Sequence, residues 1–301
     1  MKEFHSNGKL LITGEYLVLD GALSFALPTR FGQVMTIEEN NSGYIDWLSL
    51  DHCGNTWLSA EFDLSLTDEP TNDIEKSLID LLKKAKTLNT SFLSGHSGFK
   101  VISKMDFPKD WGLGSSSTLI NNMARWAGVD AFELSNKTFG GSGYDIACAQ
   151  HDRPILYRLD AGKPHVKETT FHPPFTDRIY FIHLNQKQNS REGIKRYKSL
   201  QDGHKSKSIQ EIEEITKRII ECDDIIEFNN LINIHETIIS GVIEIQPVKE
   251  ILFPDFKGSI KSLGAWGGDF IMATGNQDTP VYFKKKGYGT ILSYDQMIKP
   301  C

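Results

Sequence analysis

The sequence predicts an α+β protein. Strand-like apolar runs and amphipathic helices share its 301 residues without the regular strand–helix alternation of a doubly wound parallel sheet. Hydrophobic residues make up 39%, aromatic residues 10% and charged residues 24%, a balance that excludes disordered, collagen-like and coiled-coil chains. The length suits roughly two domains of ~150 residues. With His172-Pro173-Pro174 as a connector, they divide near residue 170, into 1–170 and 171–301.

The elements follow in order. Residues 9–19, KLLITGEYLVL, form two short apolar runs about Thr13-Gly14-Glu15, the pattern of paired strands or of one bulged strand. Further strand-like runs occupy 33–37, 99–103 and 155–159. The first clear helix covers about 73–86, where Ile74, Leu78, Leu81, Leu82 and Ala85 recur at helical spacing and Asn72 with Glu75 has the form of a capping box. A second helix opens in the serines 115–117, carries Leu119, Met123, Trp126 and Ala127 on one face, and stops at Gly128. A third starts near Tyr144. After the connector come a strand over 179–184 and helices near 208–221 and 225–239, and then 260–263, 270–274 and 281–283 read as strands or strand ends. There is no internal repeat and no low-complexity tract.

Charge and cysteine usage narrow the partners. Thirty-three basic against 39 acidic residues leave a net charge of −6 with no basic stripe, which argues against a nucleic-acid backbone as ligand. An anionic small molecule remains compatible, because a few local Lys, Arg and backbone N–H groups suffice to hold one. Cys53, Cys148, Cys222 and Cys301 are far apart and lack zinc spacing, so they read as reduced thiols. Gly14 and Glu15 interrupt the N-terminal apolar stretch, and no segment approaches ~18 uninterrupted apolar residues. A cytoplasmic protein with no membrane partner is expected, and the sequons at Asn40, Asn89 and Asn136 then carry no weight.

Four segments carry chemistry. Gly112-Leu113-Gly114-Ser115-Ser116-Ser117 directly precedes a helix. Its glycines let the backbone approach a ligand, and the helix start presents free N–H groups to phosphate. The serine hydroxyls suit phosphate oxygens or Mg²⁺. The plainer alternative is a Gly/Ser loop with a serine cap. In Gly140-Gly141-Ser142-Gly143-Tyr144-Asp145, an acidic residue follows a sharp turn at a helix start, where it stays ionised and either accepts a proton or caps its helix. In Asn7-Gly8-Lys9 and Gly14-Glu15-Tyr16, Lys9 within an apolar strand needs a partner or a site, unless it lies on a solvated edge. Lys261-Ser262-Leu263-Gly264-Ala265-Trp266-Gly267-Gly268-Asp269 is a glycine turn, or simply a hairpin.

In order and type these segments resemble the GHMP kinases, the superfamily named for galactokinase, homoserine kinase, mevalonate kinase and phosphomevalonate kinase. GKLLITGEYLVLDG is similar to their first motif, GLGSSS to their phosphate loop and KSLGAWGGDF to their C-terminal glycine motif; GGSGYDIA resembles the aspartate segment of the bacterial GYDIA-type branch. The resemblance spans about residues 4–283 and implies two α+β lobes, the first ribosomal-protein-like and the second ferredoxin-like.

It further implies ATP on Gly112, Leu113, Gly114, Ser115, Ser116 and Ser117, with Mg²⁺ held by Ser116 and by Glu133, although the spacing of Glu133 to Asp145 departs from the family pattern. Asp145 would be the catalytic carboxylate with Lys9 beside it. An anionic acceptor would meet Glu15, Lys187, Ser190, Arg191, Gly267 and Gly268. Trp266 stands where the family has glycine and is expected to crowd an approaching phosphate. The Gly-Gly-Asp ending points toward phosphomevalonate kinases. The implied activity is phosphoryl transfer from ATP to mevalonate or phosphomevalonate by a monomer or homodimer. The alternatives are a diphosphomevalonate decarboxylase, another small-metabolite kinase of the superfamily, and a non-catalytic binding protein on the same fold.

Overall fold

In a computed structural model, which describes residues 1–187, 190–199 and 205–300, the chain forms two compact units that interleave in sequence. The first comprises Met1–Gly8, Phe31–Lys109 and Leu113–Gln150, and the second Lys9–Arg30, Asp110–Gly112 and His151–Cys301. The main division therefore falls at residue 150, not near 170. The proline connector lies well inside the second unit.

The first unit is built on β1 (Lys2–Thr13) and β2 (Ser24–Asn40), long strands that also run into the second unit, and on β3 (Tyr44–Leu50), β4 (Thr56–Asp63), α1 (Asp73–Leu88), β5 (Gly98–Met105), α2 (Ser115–Ala127), α3 (Ala131–Thr138) and α4 (Tyr144–Gln150). Its strands run in the order β4-β3-β5-β2. β3 is parallel to β5, and β2 is antiparallel to it with Gln33 opposite Met105. The core joins Met35, Trp47 and Val101 of the sheet to Leu78 and Leu82 of α1, Met123 of α2 and Leu134 of α3. Burying each such leucine stabilises the unit by about 1.5–3 kcal/mol. The Asn72 side chain accepts from the Ile74 and Glu75 amides as expected, but no capping box closes, because Glu75 does not accept from the Asn72 backbone amide. Its carboxylate accepts instead from the amide and hydroxyl of Thr71, so the cap begins one residue earlier.

In the second unit β6 (Ile155–Asp160) pairs with the first residues of β2 and with β7 (Lys163–Glu168). A four-stranded antiparallel sheet follows, made of β8 (Ile179–His183), β9 (Ile260–Ser262), β10 (Phe270–Thr274) and β11 (Ile291–Ser293) in the order β11-β8-β10-β9. Helices α5 (Ser190–Ser199), α6 (Lys205–Glu221), α7 (Ile225–Ile243) and α8 (Val248–Leu252) connect β8 to β9, α9 (Thr279–Lys285) connects β10 to β11, and α10 (Tyr294–Met297) follows. This is the β-α-β-β-α-β plan of a ferredoxin-like unit. Residues 281–283, expected as strand, lie in α9: Pro280 opens the first turn, Phe283 is buried and Val281 is 49% exposed, a one-sided helical face in place of alternation. The strand that completes the sheet is β11. Among the described residues, no helix is long and apolar enough to cross a membrane.

Candidate active site

The Gly/Ser segment becomes a helix start with open amides. Gly114 adopts a left-handed conformation (φ 92°) ahead of α2, and no side chain caps that end. The Thr118 amide makes the first turn's bond to the Gly114 carbonyl, at 3.0 Å. The amides of Ser115, Ser116 and Ser117 precede that bond, as the first N–H groups of any helix do. The three serines then separate. The Ser117 hydroxyl is buried and donates to the Gly114 carbonyl at 2.8 Å, so it serves the loop itself. Ser116 is exposed, and Ser115 and Ser116 both line a cavity of about 300 Å³ within the first unit.

That cavity has apolar walls and a polar floor. Trp47, Trp57, Leu58, Leu78, Met105 and Phe139 contribute to the walls. Gln33 donates to Ser103 and accepts from Thr118, both at 2.7 Å, and Trp47 donates to Ser49 at 2.9 Å. The Lys109 ammonium lies 4.1 Å from the Trp57 ring centroid, a cation–π contact at the rim. A flat apolar ring flanked by polar atoms, continued by an anion, fits such walls beside such a helix start. Of the wall residues only Leu78 stood out in the sequence, for its helical spacing and not as part of a site. The one available signal was the pair of tryptophans in adjacent strand-like segments.

Within the second unit, Gly112 is gripped from two sides. The half-buried Lys9 donates from Nζ to the Gly112 carbonyl at 2.9 Å. The Asp269 carboxylate faces the Gly112 Cα so closely that a methyl group added there would sit 2.3 Å from Asp269 Cγ. Asp269 is buried, its amide donates to Gln186 O and its carbonyl accepts from Leu184 N, each at 2.8 Å. Asp269 (φ 54°) and Trp266 (φ 56°) are both left-handed, a conformation that side-chain-bearing residues adopt only under constraint. The Trp266 side chain is buried, with the Lys261 ammonium 5.7 Å from its ring centroid. Its indole turns into the unit, against the expectation that it crowds a phosphate approaching that backbone.

Glu15, expected at the acceptor, is 1% exposed and belongs to a buried charge cluster in the second unit. Lys261, entirely buried on β9, contacts Glu15 and lies 3.0 Å from Glu236 of α7. Glu236 also accepts from the Ser262 amide at 3.0 Å and hydroxyl at 2.7 Å. His235 Nε2 accepts from the Gly14 amide at 3.1 Å and stands 3.3 Å from Glu15 Oε2. Burial pushes the Glu15 carboxyl up to about 7 against the lowering pull of Lys261, and raises Glu236 as well. Burial, with help from Lys261, holds His235 well below its ordinary value. For Lys261 burial acts downward, but Glu15 and Glu236 outweigh it and raise the ammonium. The rule that a lysine in an apolar strand needs a partner, applied above to Lys9, describes Lys261 better.

The other candidates take up separate local settings. Asp145 is half-buried in the first turn of α4, its carboxylate accepting from the Ile146 amide at 3.1 Å. Leu113 is fully buried. Gly267 accepts from the Gln186 side chain, and Gly268 is buried in the same turn. Lys187 is exposed, and the side chains of Ser190 and Arg191 lie outside the described residues. Glu133 is exposed on α3 and pairs with Lys137 at 3.7 Å. Among the described residues, the one group of three potential metal-ligating side chains is Asp51, His52 and Cys53, remote in sequence from every segment above. Cys53, Cys148 and Cys222 are thiols outside any disulfide; Cys301 lies outside the described residues.

No family model and no curated protein matches the sequence. Solved structures do. The mevalonate kinase of Methanococcus jannaschii aligns at a TM-score of 0.72 with 13% identity, covering 100% of this chain and 98% of its own. The Streptococcus pneumoniae phosphomevalonate kinase, in complex with phosphomevalonate and AMPPNP, aligns at 0.72 with 15% identity, covering 97% and 100%. The Lactococcus lactis galactokinase, in complex with galactose, aligns at 0.66 with 13% identity, covering 99% and 95%. Over essentially its whole length, the chain has the α+β fold of the GHMP kinases.

Proposed function

We propose that the protein is an ATP-dependent small-molecule kinase that phosphorylates mevalonate or phosphomevalonate. The observation that carries this reading is the 300 Å³ cavity running up to Ser115 and Ser116 at the uncapped start of α2. Trp57 and its neighbours would hold the nucleobase, and the amides that open α2 would hold the phosphates. Ser116, whose hydroxyl is not spent inside the loop, would contribute to Mg²⁺, which takes most of its remaining ligands from phosphate and water. Mg²⁺ would supply neutralisation of charge on the phosphates.

The residues then have distinct tasks. In the transfer, an acceptor oxygen bonds to the γ-phosphorus as the β–γ bridging bond breaks, and ADP leaves with that electron pair. Lys9 would offset negative charge on the moving group. With an alcohol acceptor, Asp145 would take the hydroxyl proton. A phosphate monoester has a second pKa near ~6 and arrives mostly ionised, so Asp145 would then act by its charge alone. The fold shared with the mevalonate and phosphomevalonate kinases and the Gly-Gly-Asp turn support these two acceptors.

The test is ADP release from Mg-ATP with mevalonate, phosphomevalonate, diphosphomevalonate, homoserine and galactose in turn, followed for CO₂ as well. Mevalonate or phosphomevalonate should drive turnover, and Trp57→Ala should raise KM for ATP. ADP release with neither acceptor, together with no shift of Tm by Mg-AMPPNP, would sink the reading. Lys9→Met should lower kcat by about 10²–10³, the usual loss for one transition-state donor.

A further inference from the structure

The buried charge cluster joins three segments of the second unit that are distant in sequence. Lys261 Nζ meets Glu15 of the Gly14-Glu15-Tyr16 turn and Glu236 of α7, and lies over the ring of Trp266 in the glycine turn. Each segment has a second tie. The Tyr16 hydroxyl donates to the Ala265 carbonyl at 3.0 Å, Glu236 accepts from both the amide and the hydroxyl of Ser262, and His235 accepts from the Gly14 amide. The joined turns hold three residues with full side chains at positive φ, Tyr16 (φ 62°), Trp266 and Asp269. Such backbone persists where its surroundings over-determine it, and it gathers at working sites.

Packing stability alone does not account for this arrangement. One ammonium faces two carboxylates, and among the described residues Glu15 Oε2, His235 Nδ1 and Trp266 Nε1 are buried without a hydrogen-bond partner. Since Nε2 of His235 accepts from Gly14, its proton is on Nδ1 and it cannot donate to Glu15. Apolar residues of similar volume in place of a buried ion pair are often no less stable. What the charges add is direction: each tie fixes one backbone segment at one atom.

We propose that Lys261, with Glu15, Glu236 and His235, is a positioning group that holds the 263–269 turn in its strained form, with Asp269 against Gly112, and thereby sets the acceptor side of the site. The consequence for the acceptor rests on the kinase reading; the hold on the turn does not.

The experiment compares the full-length protein with Glu15→Gln, which keeps an acceptor for Lys261 but removes a charge, and Tyr16→Phe, which deletes one hydroxyl. Amide hydrogen exchange is followed without ligand. Exchange at 264–269 should accelerate by roughly tenfold or more in both variants, with β10 amides changing by less than about twofold. KM for the accepted acceptor should rise by about tenfold, while the Kd for Mg-AMPPNP stays within about twofold. Unchanged exchange at 264–269, or an equal acceleration throughout the second unit, would overturn the proposal. If the wild-type protein phosphorylates neither acceptor, the kinase reading fails and the exchange pattern still decides the positioning role. Lys261→Met is the stronger variant, and if it fails to fold the two milder ones carry the decision.

Discussion

At Gly112 a methyl group has nowhere to go. Its φ of 65° already disfavours a side chain, and the Asp269 carboxylate fills the place of a Cβ. Gly140 has nearly the same φ of 67° and nothing within 4 Å of that position. Gly140→Ala should therefore lose only the backbone preference, about 1 kcal/mol. Gly112→Ala should lose clearly more and should also abolish the Tm shift by Mg-AMPPNP. Equal losses in thermal unfolding would remove any special role for the Asp269 contact. The serines offer a second comparison. Ser117→Ala deletes an internal hydrogen bond and should cost about 1 kcal/mol of stability. Ser116→Ala should stay within about 0.5 kcal/mol and weaken Mg-dependent AMPPNP binding. GLGSSS announced a helix start through glycine and serine preferences, which are local. Which hydroxyl points inward depends on where the loop's own carbonyls lie, and that is not local.

Helices and strands with a long one-sided pattern were legible, because an apolar stripe over four turns has few alternative readings. α1, α6 and α7 begin within a few residues of their expected starts. Short elements were legible only in part: 260–263 and 270–274 were expected as strands and hold β9 and β10, but α9 was not expected as a helix. Val281, Tyr282 and Phe283 form a run that suits either period, and only the packing of Phe283 selects the helix. The pair His235 and Glu236 was missed for a related reason: polar residues on an apolar helical face look like interruptions until β9 brings a lysine to meet them. The cluster has a pH signature. Glu15 binds its proton more tightly folded (about 7) than unfolded (4.5), so its contribution is full below 4.5 and is lost as pH rises through 7. Glu236 acts in the same sense, and His235, buried neutral, acts oppositely below 6.5. The stability difference between wild type and Glu15→Gln should therefore shrink as pH rises from 5 to 7.5, by at most about 1.4 kcal/mol per pH unit. A difference that grows over that range in denaturant titrations would contradict the assignment.

For the molecule as a whole, the interleaved division has consequences. A fragment 171–301 lacks Glu15 for Lys261 and Thr13 for Thr216, whose hydroxyls lie 2.7 Å apart. Glu236 stays with Lys261 in the fragment, but segments 9–30 and 151–170 of the same unit are gone, so that fragment should remain unfolded by circular dichroism. Nucleotide at 100 times its Kd should stabilise the intact chain by ~2.7 kcal/mol. The sequence by itself determined the α+β class, the ordered set of glycine motifs and the helix start at Ser115, since each rests on backbone preferences of neighbouring residues. Only the tertiary structure decided that Glu15 serves Lys261, that Trp266 turns inward, that Asp269 faces Gly112 and that 9–30 belongs with 151–300. Those outcomes depend on contacts across tens to hundreds of residues, where burial makes a charge find its partner, and no local spacing encodes which partner that is.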